Sequence, residues 1–183
     1  MKKKSKFFAL AVALIICCAL CLTACGDPED ATIGDGGIVP EGNYMLVEFE
    51  GSSFYVPSDS RQNEQENFHS YTFSDGSFTV LVSDTRAKVQ RVSRNSYERS
   101  LKKEIKDTGY SYTLDDYKFY KLSGLWIRAV EVTLYNSEKA VKKYQYAYST
   151  GSKQIIITVE YNSIDTAEDS DFPAKLLYSI SVK

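Results

Sequence analysis

The sequence predicts an α+β domain built around an antiparallel sheet, and three observations lead to this fold class. Residues 70–82 form two β-prone runs around Asp75-Gly76, a dipeptide typical of tight hairpin turns. Three further strand-like runs follow with short polar breaks, as in a meander: 125–135, 141–149 and 153–161. Residues 95–107 have the apolar spacing of an amphipathic helix that packs on such a sheet.

The predicted helix over 95–107 has a narrow apolar stripe and recognisable ends. Three apolar residues recur every four positions: Tyr97, Leu101 and Ile105. Asn95 with Glu98 three residues later resembles a capping box at the start, and Gly109 supplies a stop signal. This pattern predicts one helix that lays a single face on the sheet.

The last strand of the predicted meander alternates clearly. In 153–161 one set of positions is fully apolar: Ile155, Ile157, Val159 and Tyr161. The intervening positions are mixed in polarity. Because side chains alternate across a strand, this predicts one apolar sheet face and one mixed face.

The remaining elements are short. Residues 44–49 and 53–57 read as strands, and the polar stretch 61–67 is expected to be a loop. A terminal helix is predicted over 172–178, with Asp171 as its N-cap and Pro173 tolerated in its first turn. The chain then ends a few residues later at Lys183.

The N-terminus has the layout of a bacterial secretory signal. Four lysines precede a short apolar run that contains three of the four cysteines, among alanine, leucine and isoleucine. Residues 22–25, Leu-Thr-Ala-Cys, resemble the lipobox of bacterial lipoproteins. This resemblance implies cleavage after residue 24 and a diacylglyceryl thioether on Cys25, which anchors the protein to the cell membrane on its extracytoplasmic face. The alternative is an uncleaved membrane helix over 7–24.

Removal of residues 1–24 would leave a single acidic domain behind a tether. The remainder has 18 basic and 24 acidic residues and no thiol except that of Cys25, so an internal disulfide is excluded. Residues 26–43 contain five glycines, two prolines and five acids, which predicts a flexible acidic tether with a reach of about 25 Å. Residues 44–183 have the length of one domain and hold all 14 tyrosines.

The order of elements resembles the PsbP-like fold. The features that carry the resemblance are Tyr55-Val-Pro57 in a strand, a hairpin, one helix, the run Gly124-Leu-Trp-Ile-Arg-Ala-Val-Glu-Val132, a meander, and a terminal helix that ends in Ser-Ile. The similarity covers most of 52–183. It implies an antiparallel sheet with helices on its faces, an α/β/α sandwich used for docking onto partners rather than for catalysis. It carries over no catalytic or metal residue.

The residue content argues against most enzyme classes. His69 is the only histidine, which excludes a pair of histidine metal ligands, and the domain has no cysteine nucleophile. Neither a Gly-x-Ser-x-Gly elbow nor a phosphate-binding glycine loop occurs. A carboxylate pair drawn from Asp115, Asp116 and Glu131 stays an open alternative. The sequence predicts a protein that is not an enzyme and that needs no cofactor or metal.

Basic residues are concentrated in one segment. Residues 86–106 carry eight basic and two acidic side chains, while the rest of the mature chain is strongly acidic. The candidate anion- or partner-binding residues are Arg91, Arg94, Arg99, Lys102, Lys103 and Lys106. The simplest interpretation is a solvated helix and its lead-in strand. The functional interpretation is a patch that faces anionic lipid, anionic wall polymer or an acidic protein partner; nucleic acid is not expected outside the cell.

Three tyrosines alternate along one predicted strand. Tyr144, Tyr146 and Tyr148 must share a face, where they either pack beneath a helix or form a platform for a glycan or small molecule. The sequence thus supports two functions. The first is a non-catalytic interaction module for a membrane or exported complex. The second is a small-molecule or glycan receptor that uses the tyrosine face.

Overall fold

The structure is a computed structural model that describes residues 30–32, 36–65, 68–86, 89, 91–151 and 153–183. Residues 30–32 are described as backbone only. The predicted signal segment 1–24, Cys25 and the start of the predicted tether lie outside the described residues. None of the helices among the described residues is both long and apolar enough to cross a bilayer.

The described residues form two sheets and three helices. The strands are β1 Asp30–Thr32, β2 Tyr44–Phe49, β3 Ser52–Pro57, β4 Arg61–Gln65, β5 Phe68–Thr72, β6 Phe78–Thr85, β7 Ser111–Leu122, β8 Leu125–Tyr135, β9 Ala140–Thr150, β10 Lys153–Tyr161 and β11 Ser181–Val182; the helices are α1 Arg94–Ile105, α2 Ile164–Glu168 and α3 Phe172–Ser179. The large sheet has the order β1-β7-β8-β9-β10-β6-β5-β4, and the small sheet has the order β11-β3-β2. The α+β prediction is confirmed, since every pair is antiparallel except the edge pair β1–β7.

The large sheet separates two hydrophobic cores. Ile155, Ile157 and Val159 of β10 point into one core, while Ile156 between them points into the other. The first core is covered by α3 and the small sheet, and we call it the α3-side core. The second is covered by α1 and is called the α1-side core. Both sheet faces are therefore packed, as the resemblance implied.

Two stretches differ from the sequence-based prediction. The predicted loop over 61–67 is wrong in its first part, because Arg61–Gln65 is an exposed edge strand that pairs with β5. Strand β7 was not predicted at all. A bulge between Leu114 and Asp116 shifts its register, so its buried side chains do not alternate evenly along the sequence.

The helix caps also differ from the prediction. The N-cap of α1 is Ser93, whose hydroxyl accepts the Ser96 amide at 3.3 Å, and not Asn95. Helix α3 forms where predicted, but the Asp171 side chain makes no capping hydrogen bond to it. The short helix α2 was not predicted, although Ser163 caps it in the ordinary way.

Residues just before β2 contact the C-terminal end of the chain. The Gly37 amide donates to the Ile180 carbonyl at 3.2 Å, and the Ile38 amide donates to the Tyr178 carbonyl at 3.1 Å. A Cβ at Gly36 would lie 2.7 Å from the Ile180 oxygen, so this close approach requires glycine. These contacts fall inside the stretch predicted as a tether, 25–43.

Candidate binding surfaces

Four of the six predicted cations share one face of α1. Arg99, Lys102, Lys103 and Lys106 are exposed and follow the spacing i, i+3, i+4 and i+7, which places them along one side of the helix and its C-terminal end. We call these four residues the cationic stripe. The opposite side of α1 is buried on the sheet through Tyr97, Leu101 and Ile105. The predicted apolar stripe is thus confirmed, and it turns the cations outward.

The lysines of the stripe are not neutralised within the described residues. There, no acidic side chain lies within ion-pair distance of Lys102, Lys103 or Lys106. Arg99 instead donates back to its own helix, to the Asn95 carbonyl at 3.4 Å and the Ser96 hydroxyl at 3.2 Å.

The other two predicted cations contact the sheet. The Arg94 guanidinium donates to the Leu114 carbonyl at 2.6 Å and so joins the start of α1 to β7. The Arg91 guanidinium lies 4.4 Å from the ring centroid of Trp126 and 5.5 Å from that of Phe119. These contacts hold the lead-in segment on the sheet, so Arg91 and Arg94 are separate from the cationic stripe.

The tyrosine face of β9 is largely covered. Tyr148 is fully buried and donates to the Ser52 hydroxyl at 3.0 Å, and Tyr146 is buried and donates to the Pro173 carbonyl at 2.7 Å. Burial raises the pKa of both hydroxyls, which keeps them neutral donors. Tyr144 alone is partly exposed. The three side chains share a face, as predicted, but they do not form an open platform because α3 and β3 lie over two of them.

A small cavity of about 260 Å³ remains beside Tyr144. It lies between the sheet and the start of α3, and Tyr120, Glu131 and Pro173 also line it. This volume is below the range typical of drug-sized ligand sites.

The carboxylates considered as a catalytic pair meet at a lysine. The Lys142 ammonium lies 2.8 Å from Asp115 and 2.5 Å from Glu131. Burial acts to lower the pKa of Lys142, but the hydrogen bonds that its ammonium donates to both carboxylates outweigh this effect and raise that pKa overall. Asp116 points elsewhere and pairs with Lys118 at 2.9 Å. Asp115 and Glu131 are therefore both ion-pair partners of Lys142.

His69 is half-buried and packs against aromatic rings. Its ring meets Phe49 edge-on at 4.8 Å, and the Tyr71 hydroxyl lies 3.5 Å from its Nδ1. Burial, followed by the charge of Glu64, raises the pKa of Tyr71 to about 12. Among the described residues, no group of three or more histidine, aspartate or glutamate side chains is placed to hold a metal ion.

A wide cleft in the described residues was not predicted from the sequence. It has a volume of about 850 Å³ and is bounded by the loop before β2, the ends of β3 and β10, the β5–β6 hairpin and the α2–α3 segment. Its chemically distinctive lining residues are five aromatics and five acids: Tyr44, Phe73, Phe78, Tyr161, Phe172, Glu41, Asp59, Asp165, Asp169 and Asp171. We call it the acidic-aromatic cleft. The local signal that could have indicated it is the run of four acids within 165–171.

No family model matches the chain, and no curated protein matches it. Solved structures do. The solution structure of the cyanobacterial PsbP protein CyanoP from Synechocystis aligns with a TM-score of 0.62 and 10% identity, covering 88% of this chain and 99% of that one. The Ran-binding protein Mog1p of Saccharomyces cerevisiae aligns with a TM-score of 0.54 and 9% identity, covering 76% and 95%. The chain therefore has the PsbP/Mog1-like α+β fold.

Proposed function

We propose that the chain is a lipid-anchored extracytoplasmic binding module, without catalytic activity, that docks an acidic protein partner at the membrane surface. The observation that carries this proposal is the cationic stripe. Its four side chains are exposed on one side of a helix whose other side is buried, and its three lysines have no acidic partner within the described residues.

The stripe is an arrangement that an isolated helix does not favour. Arg99 with Lys103, and Lys102 with Lys106, are like-charge pairs at i and i+4, each of which costs a few tenths of a kcal/mol. The helix dipole offsets part of this cost, because Lys102 and Lys103 lie in the last turn. An acidic partner would offset this repulsion, and charge complementarity would speed the encounter.

The likeness to solved structures supports a binding role. One of the two aligned proteins is a Ran-binding protein by its own description, so the fold is used to bind a protein in that case. The likeness to a lipobox at residues 22–25 supports the membrane location, since a diacylglyceryl group anchors stably through its two chains. A tether of modest length would then keep the docking surface near the bilayer.

Replacement of the proposed lipid site should release the protein from the membrane. In Cys25→Ser we expect loss of incorporation of a clickable fatty-acid analogue and a large shift out of the membrane fraction, because a serine hydroxyl does not form the thioether. The matched control is Cys21→Ser, which leaves residues 22–25 intact. Fatty-acid labelling of Cys25→Ser at the wild-type level would contradict the lipoprotein assignment.

Removal of charge from the stripe should strongly reduce partner capture. We expect mild crosslinking of the full-length protein in cells, followed by affinity recovery and mass spectrometry, to yield one reproducible membrane or exported partner. In Lys102→Gln/Lys103→Gln/Lys106→Gln its yield should fall about tenfold or more, as expected when several interface charges are lost.

A second triple variant separates this surface from a general effect of charge. Lys118→Gln/Lys121→Gln/Lys183→Gln removes the same three charges at other places and should capture the partner as well as the wild type does. Equal loss in both variants would show that net charge and not the stripe matters. A protein that yields no partner in any form, or a partner retained by the stripe variant, would overturn the proposal.

A further inference from the structure

We propose that the acidic-aromatic cleft is a binding site for an organic cation, specifically an alkylammonium group attached to a hydrocarbon chain. This site is distinct from the cationic stripe and does not depend on the docking function. Phe78, Tyr161 and Phe172 belong to the α3-side core, whereas the stripe lies above the α1-side core on the other face of the large sheet.

The floor of the cleft is a continuous set of aromatic rings. Phe78 stacks on Phe73 with ring centroids 5.0 Å apart and on Phe172 at 4.9 Å. Phe172 in turn stacks on Tyr44 at 6.3 Å, and Tyr161 lies 5.2 Å from Phe78. Phe78, Tyr161 and Phe172 are almost fully buried, so the partly exposed Tyr44 and Phe73 are the rings that offer apolar surface to a hydrocarbon chain and a negative face to an ammonium group.

The lining charges have one predominant sign. Glu41, Asp165 and Asp169 form no ion pair within the described part of the chain, and Asp59 accepts a hydrogen bond from the neutral Ser74 hydroxyl at 2.7 Å. No lysine or arginine is among the lining residues. A cleft of this kind concentrates cations, since field lines are focused between low-dielectric walls.

The protein already binds one ammonium group in the proposed manner at the rim. The Lys175 Nζ lies 2.8 Å from the Asp171 carboxylate and 5.9 Å from the centroid of the Tyr44 ring. The hydrogen bond to Asp171 raises the pKa of Lys175, which favours its charged form. A primary ammonium is thus held by one carboxylate and one ring of the cleft, which are the groups that would hold a ligand.

The volume indicates the size of the ligand. About 850 Å³ lies within the range of small-molecule sites and is much larger than one ammonium group requires. An elongated amine would place its chain on the rings and its charged ends near carboxylates from different segments. A free polyamine and the side chain of a lysine-containing peptide share this chemistry.

The proposal is tested by calorimetric titration of the full-length chain in a neutral detergent at 150 mM NaCl. The probes are 1,6-diaminohexane, spermidine and acetyl-trilysine amide, and the control is 1,6-hexanediol, which has the same chain length as the diamine but no charge. We expect both free amines to bind and the diol not to bind. Tighter binding of the trilysine peptide than of spermidine would assign the site to a peptide, and the reverse would assign it to a free polyamine.

Variants locate the binding. Asp165→Asn/Asp169→Asn should weaken amine binding about tenfold through lost attraction, and Tyr44→Leu should weaken it about fivefold through lost cation–π attraction while apolar bulk is retained. The matched control Asp107→Asn/Glu138→Gln removes the same charge at exposed sites outside the cleft and should bind like the wild type.

Substitution of the resident cation should act in the opposite direction. Lys175→Met frees Asp171 and the Tyr44 ring and should tighten amine binding about threefold, whereas Lys183→Met, with the same loss of charge elsewhere, should not. The proposal is overturned by equal binding of diol and diamine, by equal weakening in the control pair, or by an unchanged affinity in Tyr44→Leu. Any of these outcomes leaves the test of the cationic stripe unaffected.

Discussion

Glu160→Leu is expected to lower the free energy of unfolding by about 3–5 kcal/mol, because it leaves a buried ammonium without its counter-charge. Glu160 and Lys143 are directly opposite in the β9–β10 ladder, and their charged atoms lie 2.6 Å apart. The Lys143 side chain is 3% exposed and that of Glu160 is 11% exposed. The geometry gives an ion pair rather than a well-directed hydrogen bond, so charge attraction is the main compensation for lost hydration.

The double variant Lys143→Met/Glu160→Leu is the control for this prediction. It removes both charges and keeps similar side-chain volume, so its stability should return to within about 1–2 kcal/mol of the wild type. Urea unfolding followed by the fluorescence of Trp126, the only tryptophan, measures all three proteins. A loss below about 1 kcal/mol in Glu160→Leu would show that water reaches Lys143 and that the pair does not matter for stability.

Phe78→Ala is expected to cost a similar amount, about 3–5 kcal/mol, by opening a cavity where three rings meet. Phe78 is 6% exposed and packs on Phe73, Tyr161 and Phe172, which come from the hairpin, β10 and α3. The same urea experiment measures the loss. Phe78 is also the centre of the floor of the acidic-aromatic cleft, so the variant should bind amines poorly as well.

Phe73→Ala provides the comparison within the same ring cluster. Phe73 is only partly buried and contacts Phe78 from one side, so its removal should cost less than half as much. Equal costs at the two positions would be incompatible with a core centred on Phe78. The pair therefore tests the ring packing without reference to any ligand.

Much of the fold could be predicted from local patterns. Alternation in 153–161 correctly separated Ile155 and Ile157 from Ile156, because a strand between two layers must send neighbouring side chains to opposite faces. The spacing of Tyr97, Leu101 and Ile105 correctly predicted the buried side of α1. Strand β4 was not predicted because all five of its residues are exposed, so its sequence carries no apolar alternation that would indicate a strand.

The other strand that was not predicted is β7, whose register is irregular. In β7 the bulge between Leu114 and Asp116 inserts one residue. It brings Tyr117 and Phe119 onto the same buried face as Leu114, although a regular strand would place residues an odd number of positions apart on opposite faces. No local pattern reveals this insertion, since it depends on pairing with β8. The same holds for Ser93, whose capping role became visible only once the start of α1 was placed.

The candidate surfaces divide in the same way. The cluster of positive charge in 86–106 was evident from counting, but only tertiary contacts separated Arg91 and Arg94 from the cationic stripe. The sequence correctly predicted that the three tyrosines share one face of β9. Their burial could not be predicted, because it depends on α3 and β3, which are distant in sequence. The acidic-aromatic cleft depends wholly on chain packing, because its rings come from four separate segments.

By itself the sequence determined the α+β class, the alternation of the central strands, the lipobox-like N-terminus and the excess of cations in one helix. These properties arise from residues close together in the chain, where periodicity and composition act directly. Only the tertiary structure decided which of the candidate cations contact the sheet, which tyrosines are buried, and that acids and rings from distant segments meet in one cleft. Those outcomes depend on contacts between elements that are distant in the chain, and residue spacing within one element does not predict such contacts.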